Sequence, residues 1–272
     1  MSIRRASFIL LTVAVAAFGA GARAQNVLIL TDNSSAALNG ATHVSDLVAA
    51  FTNTGASVTT NTTELTNGSA MAASVVQGRD VVVVVTVTGL PIDAADVPVI
   101  QSAVSSQASR VFQFFTDACN GCTRGSATAL LPITNAVGGW TASLGTADNT
   151  YPYTATLNGS GTYNAAFTSL PSILAGAYSP FVGVPVANVI YDANAAVDGP
   201  MAVVAPSSGG SSCVFHASDT TQFWKTGGAI TAAQANALAA AYVNAAMSST
   251  GPCEATVPAT PATWTTTKAI FR

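Results

Sequence analysis

The stretch DVVVVVTVTG (Asp80–Gly89) sets five consecutive valines between a charged residue and a glycine turn. A strand with one wet face alternates polar and apolar residues. An unbroken β-branched run instead calls for burial on both faces, as in the centre of a parallel sheet covered by helices. The neighbouring segments fit that setting. NVLILTDN (Asn26–Asn33) is a short apolar run ending in a polar turn, SVTTNT (Ser57–Thr62) is rich in β-branched residues, and RVFQFFTD (Arg110–Asp117) reads as a fourth strand. Between the first two, Val44, Leu47, Val48 and Phe51 stand at i, i+3, i+4 and i+7, one face of a helix that Gly55 ends. A weaker helix is expected over about Ser69–Gln77, and a third over DAADVPVIQSAVSSQAS, with Val97, Ile100 and Val104 turned inward. Strands and helices alternating at this pitch form βαβ units with right-handed crossovers. The expected fold is α/β, a doubly wound, mostly parallel sheet with helices on both faces.

After Cys122 the rhythm changes. SATALLPITNAVGG has helical character, but residues 140–200 alternate and carry many turn residues, with breaks at Pro171, Pro180 and Pro185. A β-rich insertion of antiparallel strands or long loops is expected there. The parallel pattern is expected to resume with MAVVAP (Met201–Pro206) and CVFHASD (Cys213–Asp219). TAAQANALAAAYVNAAMSS (Thr231–Ser249) reads as the last helix, with Thr231 as N-cap and Gly251-Pro252 as the stop. Residues 25–250 thus form a single domain, and 251–272 a Thr/Pro-rich tail. The end of that tail, Trp264–Phe271, has the composition of an edge strand that could pair on this chain or another.

The N-terminus carries Arg4 and Arg5, an uncharged apolar run over Phe8–Ala20, and Ala22-Arg23-Ala24, the pattern of a cleaved secretory signal over residues 1–24. The protein is therefore expected to be exported, to the periplasm or the extracellular space. Of the nine Lys and Arg, three fall in this leader, which leaves six against 12 Asp and Glu. With no basic cluster, nucleic acid and anionic membranes are excluded as expected partners. No later run is apolar enough to span a bilayer. Charged residues make up only 8% of the chain, against about 25% in ordinary soluble domains, while apolar residues reach 49%. That balance argues against disorder. It gives a surface of hydroxyls, amides and small side chains, common in exported bacterial proteins and compatible with self-association or packing on another surface protein.

NVLIL, DVVVVV, SLPSILAGAY and the pair GPMAVVAP…CVFHASDTTQFW before a terminal helix together resemble the class I glutamine amidotransferase-like superfamily, whose fold is flavodoxin-like. The likeness covers roughly residues 26–250. Active members hold a cysteine nucleophile in a G-x-C-x-G turn after a strand, with a later histidine followed two residues on by a glutamate. In this sequence DACNG supplies Cys119 and Gly121, with Asp117 in place of the first glycine. FHASD supplies His216, with Asp219 three residues on rather than two. Both halves depart from the pattern. The resemblance therefore implies a member that has kept the fold and lost its catalytic setting, with no cofactor.

Two chemical readings follow. In one, Cys119 is a nucleophile, His216 its base and Asp219 the orienter of a hydrolase of amides or esters, with the thiolate favoured by a helix N-terminus. In the other, the four cysteines (Cys119, Cys122, Cys213, Cys253) are structural disulfides, as export through an oxidising compartment favours. Of the three complete pairings, Cys119–Cys122 and Cys213–Cys253 are expected, the second tying the last strand to the end of the last helix. This second reading makes the protein a non-catalytic binding or assembly module. CNGC lacks the setting of a redox C-x-x-C, and two cysteines with the distant His43 and His216 make no metal-ligand spacing. Asp32, Asp117 and Asp219 each close a strand on one sheet edge, where with Trp224 they would line a polar binding cleft. Helix capping and turn formation are the competing duty of such aspartates.

Overall fold

The computed structural model describes residues 25–31, 40–87, 91–119, 122, 124–194, 197–223 and 230–254, with the side chains of 40–43 excepted. The expected leader, Asp32, Trp224, the His43 side chain and the strand expected at Trp264–Phe271 lie outside the described residues. In chain order the elements are β1 (Asn26–Leu30), α1 (Gly40–Thr52), β2 (Ser57–Asn61), β3 (Val81–Val85), α2 (Asp96–Ser105), β4 (Val111–Phe115), α3 (Arg124–Gly138), β5 (Ser143–Leu144), β6 (Tyr153–Leu157), β7 (Ser172–Ala175), β8 (Phe181–Val182), β9 (Val189–Asn194), β10 (Gly199–Ala205), β11 (Cys213–Ala217) and α4 (Ala232–Met247).

The valine run is β3, and all five of its residues are buried. It lies between β1 and β4 in a nine-stranded sheet of order β2-β1-β3-β4-β11-β10-β9-β6-β7. From β2 to β11 the strands are parallel. From β11 to β7 they are antiparallel. Side-chain alternation divides the core in two. Val27, Ile29, Val81, Val83 and Val85 pack with Leu47 and Phe51 of α1 and with Leu238 and Tyr242 of α4. Leu28, Leu30, Val82, Val84, Phe112 and Phe114 face Ile100 and Val104 of α2 and Leu130 and Ile133 of α3. Each valine taken fully out of water contributes about 1.5–3 kcal/mol before chain entropy is counted, and β3 provides them to both faces.

β2 stands at the edge, half exposed, because of its five residues only Val58 is apolar. The helix expected over Ser69–Gln77 is reduced to a single 3-10 turn, Ala73–Val76. Glycines with positive φ at Gly68 and Gly78 bracket the segment and leave no length for a stable helix. β10 corrects a second expectation, because it runs antiparallel to β11. Its link to β11 spans only residues 206–212, too short for the dozen or more residues of a parallel crossover, and Gly209 and Gly210 turn it with positive φ. The region after α3 continues the main sheet with β6, β7 and β9, while β5 and β8 pair separately.

Thr231 caps α4 as expected, its side chain accepting a hydrogen bond from the Gln234 amide at 3.1 Å. Thr231→Ala should lower the unfolding free energy by about 1 kcal/mol. A shift in the urea midpoint with an unchanged slope is the expected readout.

Candidate functional site

The parallel strands end side by side. Past β3, the Thr86 amide donates to the Phe115 carbonyl at 3.0 Å. Past β4, Thr116 and Ala118 donate to the carbonyls of Ala217 and Ser218 at 3.0 and 2.9 Å. The ladder thus holds Thr86, Asp117, Cys119 and Asp219 along one edge, where ligands bind in sheets of this kind.

Cys119 and Cys122 are disulfide-bonded, with Cα atoms 5.1 Å apart, just before α3 begins. Cys119 is buried and Cys122 half-buried. The turn is anchored from the insertion. The Ser179 hydroxyl donates to the Ala118 carbonyl at 2.5 Å and accepts from Arg124, whose guanidinium also donates to the carbonyls of Leu144 and Gly145 at 3.2 and 2.7 Å. Cys213 and Cys253 form the second disulfide, so no described cysteine is free.

His216 is engaged within the core. It lies inside β11, paired in register with Phe114 and Val203. Its ring is enclosed by Phe114, edge-on at 5.5 Å, and by Phe181 at 4.9 Å. Nδ1 meets the Thr134 hydroxyl of α3 at 3.0 Å, and Nε2 has no partner. Burial pushes its pKa down to about 3, so the ring is neutral in ordinary buffers.

Asp219 does not bond to His216. One carboxylate oxygen accepts from the amide and hydroxyl of Thr221 at 2.7 and 2.5 Å, closing a local Asx turn. The other accepts from the Gly176 amide at 2.6 Å and, at the limit of contact, from the Tyr153 hydroxyl at 3.5 Å. The residue is fully buried, and this burial, reinforced by the charge of Asp117, pushes its pKa up to about 8 against the opposing hydrogen bonds. The turn was legible in the Asp-Thr-Thr run. Gly176 and Tyr153 were not, because they arrive from just past β7 and from the start of β6, 43 and 66 residues away.

Two features escaped sequence reading. The ligand atoms of Asp117, Cys119 and Cys122 all lie within 4.8 Å of one another. In addition, Thr86 Oγ1, Thr220 Oγ1 and Gln222 Oε1 are buried at the ends of β3 and β11 without a hydrogen-bond partner. Nothing in a lone threonine or glutamine marks it beforehand as unsatisfied.

No protein-family model matches this chain, and no curated protein matches it by sequence. Among solved structures it is similar to a ThuA-like protein from Bacteroides uniformis, with 13% identity and a TM-score of 0.49 over 85% of this chain and 97% of that one. It is also similar to a β-galactosidase from Bacillus circulans sp. alkalophilus, with 12% identity and a TM-score of 0.51 over 80% of this chain. That match spans 30% of the β-galactosidase chain. The second likeness shows a related α/β fold and extends no further than the fold. Among the described residues, no helix is long and apolar enough to cross a membrane.

Proposed function

We propose that this protein is an exported, non-catalytic binding or assembly module on a flavodoxin-like, amidotransferase-related sheet. The observation that carries the reading is the Cys119–Cys122 disulfide, which leaves the one cysteine placed like a nucleophile without a thiolate. The enclosed, neutral His216 and the engagement of Asp219 by Thr221 and Gly176 support it. The order β2-β1-β3-β4-β11 supports the flavodoxin-like assignment. Two disulfides and the apolar N-terminal run support export. The unpartnered Thr86, Thr220 and Gln222 atoms favour the sheet edge as the binding surface. A buried polar atom without a partner costs about 1–3 kcal/mol, which a bound polar group or water would offset.

The test is disulfide mapping on protein exported by its host and alkylated before digestion. A joined Cys119–Cys122 peptide with no alkylated cysteine is the expected result, and Cys119→Ser should change stability alone. An alkylated Cys119, with loss of amide or ester turnover in Cys119→Ser, would replace this reading with the hydrolase.

A further inference from the structure

We propose that Asn67 is a self-modification site, where the folded protein closes the Asn67–Gly68 pair into a succinimide that water opens to aspartate or isoaspartate. The inference stands apart from what the sheet edge binds. The sequence presents the same tripeptide twice, as Asn67-Gly68-Ser69 and as Asn158-Gly159-Ser160. Only the first is surrounded by the groups that ring closure needs.

Ring closure joins the Gly68 nitrogen to Asn67 Cγ and expels Nδ2. The nucleophile is the Gly68 amide, which donates to Asp93 Oδ2 at 2.5 Å, so a carboxylate stands ready to take its proton as the new bond forms. The electrophile is the Asn67 side-chain carbonyl. Its Oδ1 accepts from the Ser69 amide at 2.8 Å and from the Ser69 hydroxyl at 2.7 Å, two donors that would also hold the oxyanion of the tetrahedral intermediate. The leaving nitrogen, Nδ2, donates to Glu64 Oε2 at 3.4 Å. The proton that Asp93 takes from Gly68 balances the one that Nδ2 takes up, so neutral ammonia leaves and both carboxylates end as they began. Water then adds at one ring carbonyl. Breaking the Cγ–N bond gives aspartate, and breaking the backbone C–N bond gives isoaspartate.

The loop is held in this arrangement. The Asp93 amide donates to the Leu65 carbonyl at 2.9 Å, and the Met71 amide to Asp96 Oδ1 at 2.7 Å, so the start of α2 clamps the segment on both sides of Asn67. Gly68 has a φ of +79°, and no atom beyond its chain neighbours lies within 4 Å of where a Cβ would stand. The attacking nitrogen is therefore unshielded. Asn67 itself is exposed to the water that opens the ring. Groups fixed in this way spare the entropy that an unfolded Asn-Gly pair loses on closing.

Asn158 lacks this setting. Its Oδ1 accepts from the Ser160 amide at 3.0 Å in the same kind of turn, but its Nδ2 is tied to the Val186 carbonyl at 2.9 Å. Among the described residues, no carboxylate accepts from the Gly159 amide.

Conversion places a new negative charge beside Asp93 and Glu64, and like charges so close repel. The two loops follow the parallel strands β2 and β3, so the charge falls at the rim of the sheet edge.

The experiment incubates the full mature chain at neutral pH and follows both Asn-Gly-Ser peptides by digestion and mass spectrometry, scoring isoaspartate by enzymatic methylation. In the folded chain Asn67 should convert about 10-fold or more faster than Asn158, because a positioned base alone contributes about 10²–10⁴-fold in enzymes. In guanidinium chloride, where only the shared tripeptide remains, the two should convert alike. Asp93→Asn, which keeps the backbone bond to Leu65, should slow Asn67 by about 10-fold or more as solvent takes over as base. Ser69→Ala, which loses one of two oxyanion donors, should also slow it by about 10-fold or more. Neither variant should alter Asn158. The proposal is overturned if Asn67 converts no faster than Asn158 in the folded chain, or if either variant leaves its rate unchanged or raises it.

Discussion

Replacing both Cys213 and Cys253 by alanine is expected to lower the unfolding free energy by about 3–4 kcal/mol, the loop-closure entropy of a crosslink of this span. The two cysteines are 40 residues apart and buried. Their bond joins the start of β11 to the segment just past α4. Arg110 reinforces the same junction by donating to the Cys253 carbonyl at 3.2 and 3.3 Å and to the Ser248 carbonyl at 3.4 Å, where a cation also suits the C-terminal end of the helix. Without the covalent bond, these contacts must hold the end of the chain alone. In a domain of this size the loss corresponds to a fall in Tm of about 10 °C. Cys119 and Cys122, only three apart, close a much smaller loop, and their removal should cost on the order of 1–2 kcal/mol. Urea unfolding of the parent and both double variants checks the ranking, and a larger loss from the Cys119–Cys122 pair would refute it.

The second large effect is a stability plateau in mildly acidic solution. His216 titrates near 3 when folded and near 6.5 when unfolded. Its stabilising contribution is full above about pH 6.5 and is lost as the pH falls toward 3, because the unfolded chain then binds the extra proton. Asp219 behaves in the opposite way. Its carboxyl titrates near 8 when folded and near 3.9 when unfolded, so its contribution is full below about pH 4 and is lost as the pH rises through 8. Each slope is about 1.4 kcal/mol per pH unit. Between about pH 4 and 6.5 the two cancel. Above that window only Asp219 acts, and stability should fall by about 2 kcal/mol on reaching pH 8. Asp219→Asn should remove the alkaline fall, whatever constant cost its altered contact with Gly176 brings. His216→Leu should remove the acid-side contribution of the ring enclosed by Phe114 and Phe181. Denaturant unfolding across a pH series provides the test. An Asp219→Asn protein that still loses stability between pH 6.5 and 8 would show that the slope arises elsewhere.

These groups mark where sequence reading was strong and where it failed. The spacing of Val44, Leu47, Val48 and Phe51 predicted the buried face of α1 because a helix repeats every 3.6 residues whatever lies opposite. Leu47 and Phe51 are buried accordingly. The antiparallel course of β10 was also written locally, in a link too short to cross the sheet, and it was missed by following the hydrophobic pattern alone. His216 differs in kind. Its place in FHASD offered it as the base of a Cys119 nucleophile. Alternation along β11 turns it instead onto the α3 face, and the Thr134 contact comes from 82 residues away.

The sequence by itself determined that β3 is buried on both faces, that helices must cover it, that Thr231 caps α4, and that few charges are available for any site. Those properties follow from residue volume, polarity and backbone periodicity, which act within a few residues. Only the tertiary structure decided that Asp219 is locked by Gly176 and that His216 is enclosed by Phe181. These outcomes depend on which side chains meet across strands distant in the chain. In a close-packed interior such meetings are settled by the fit of whole faces, which no local spacing encodes.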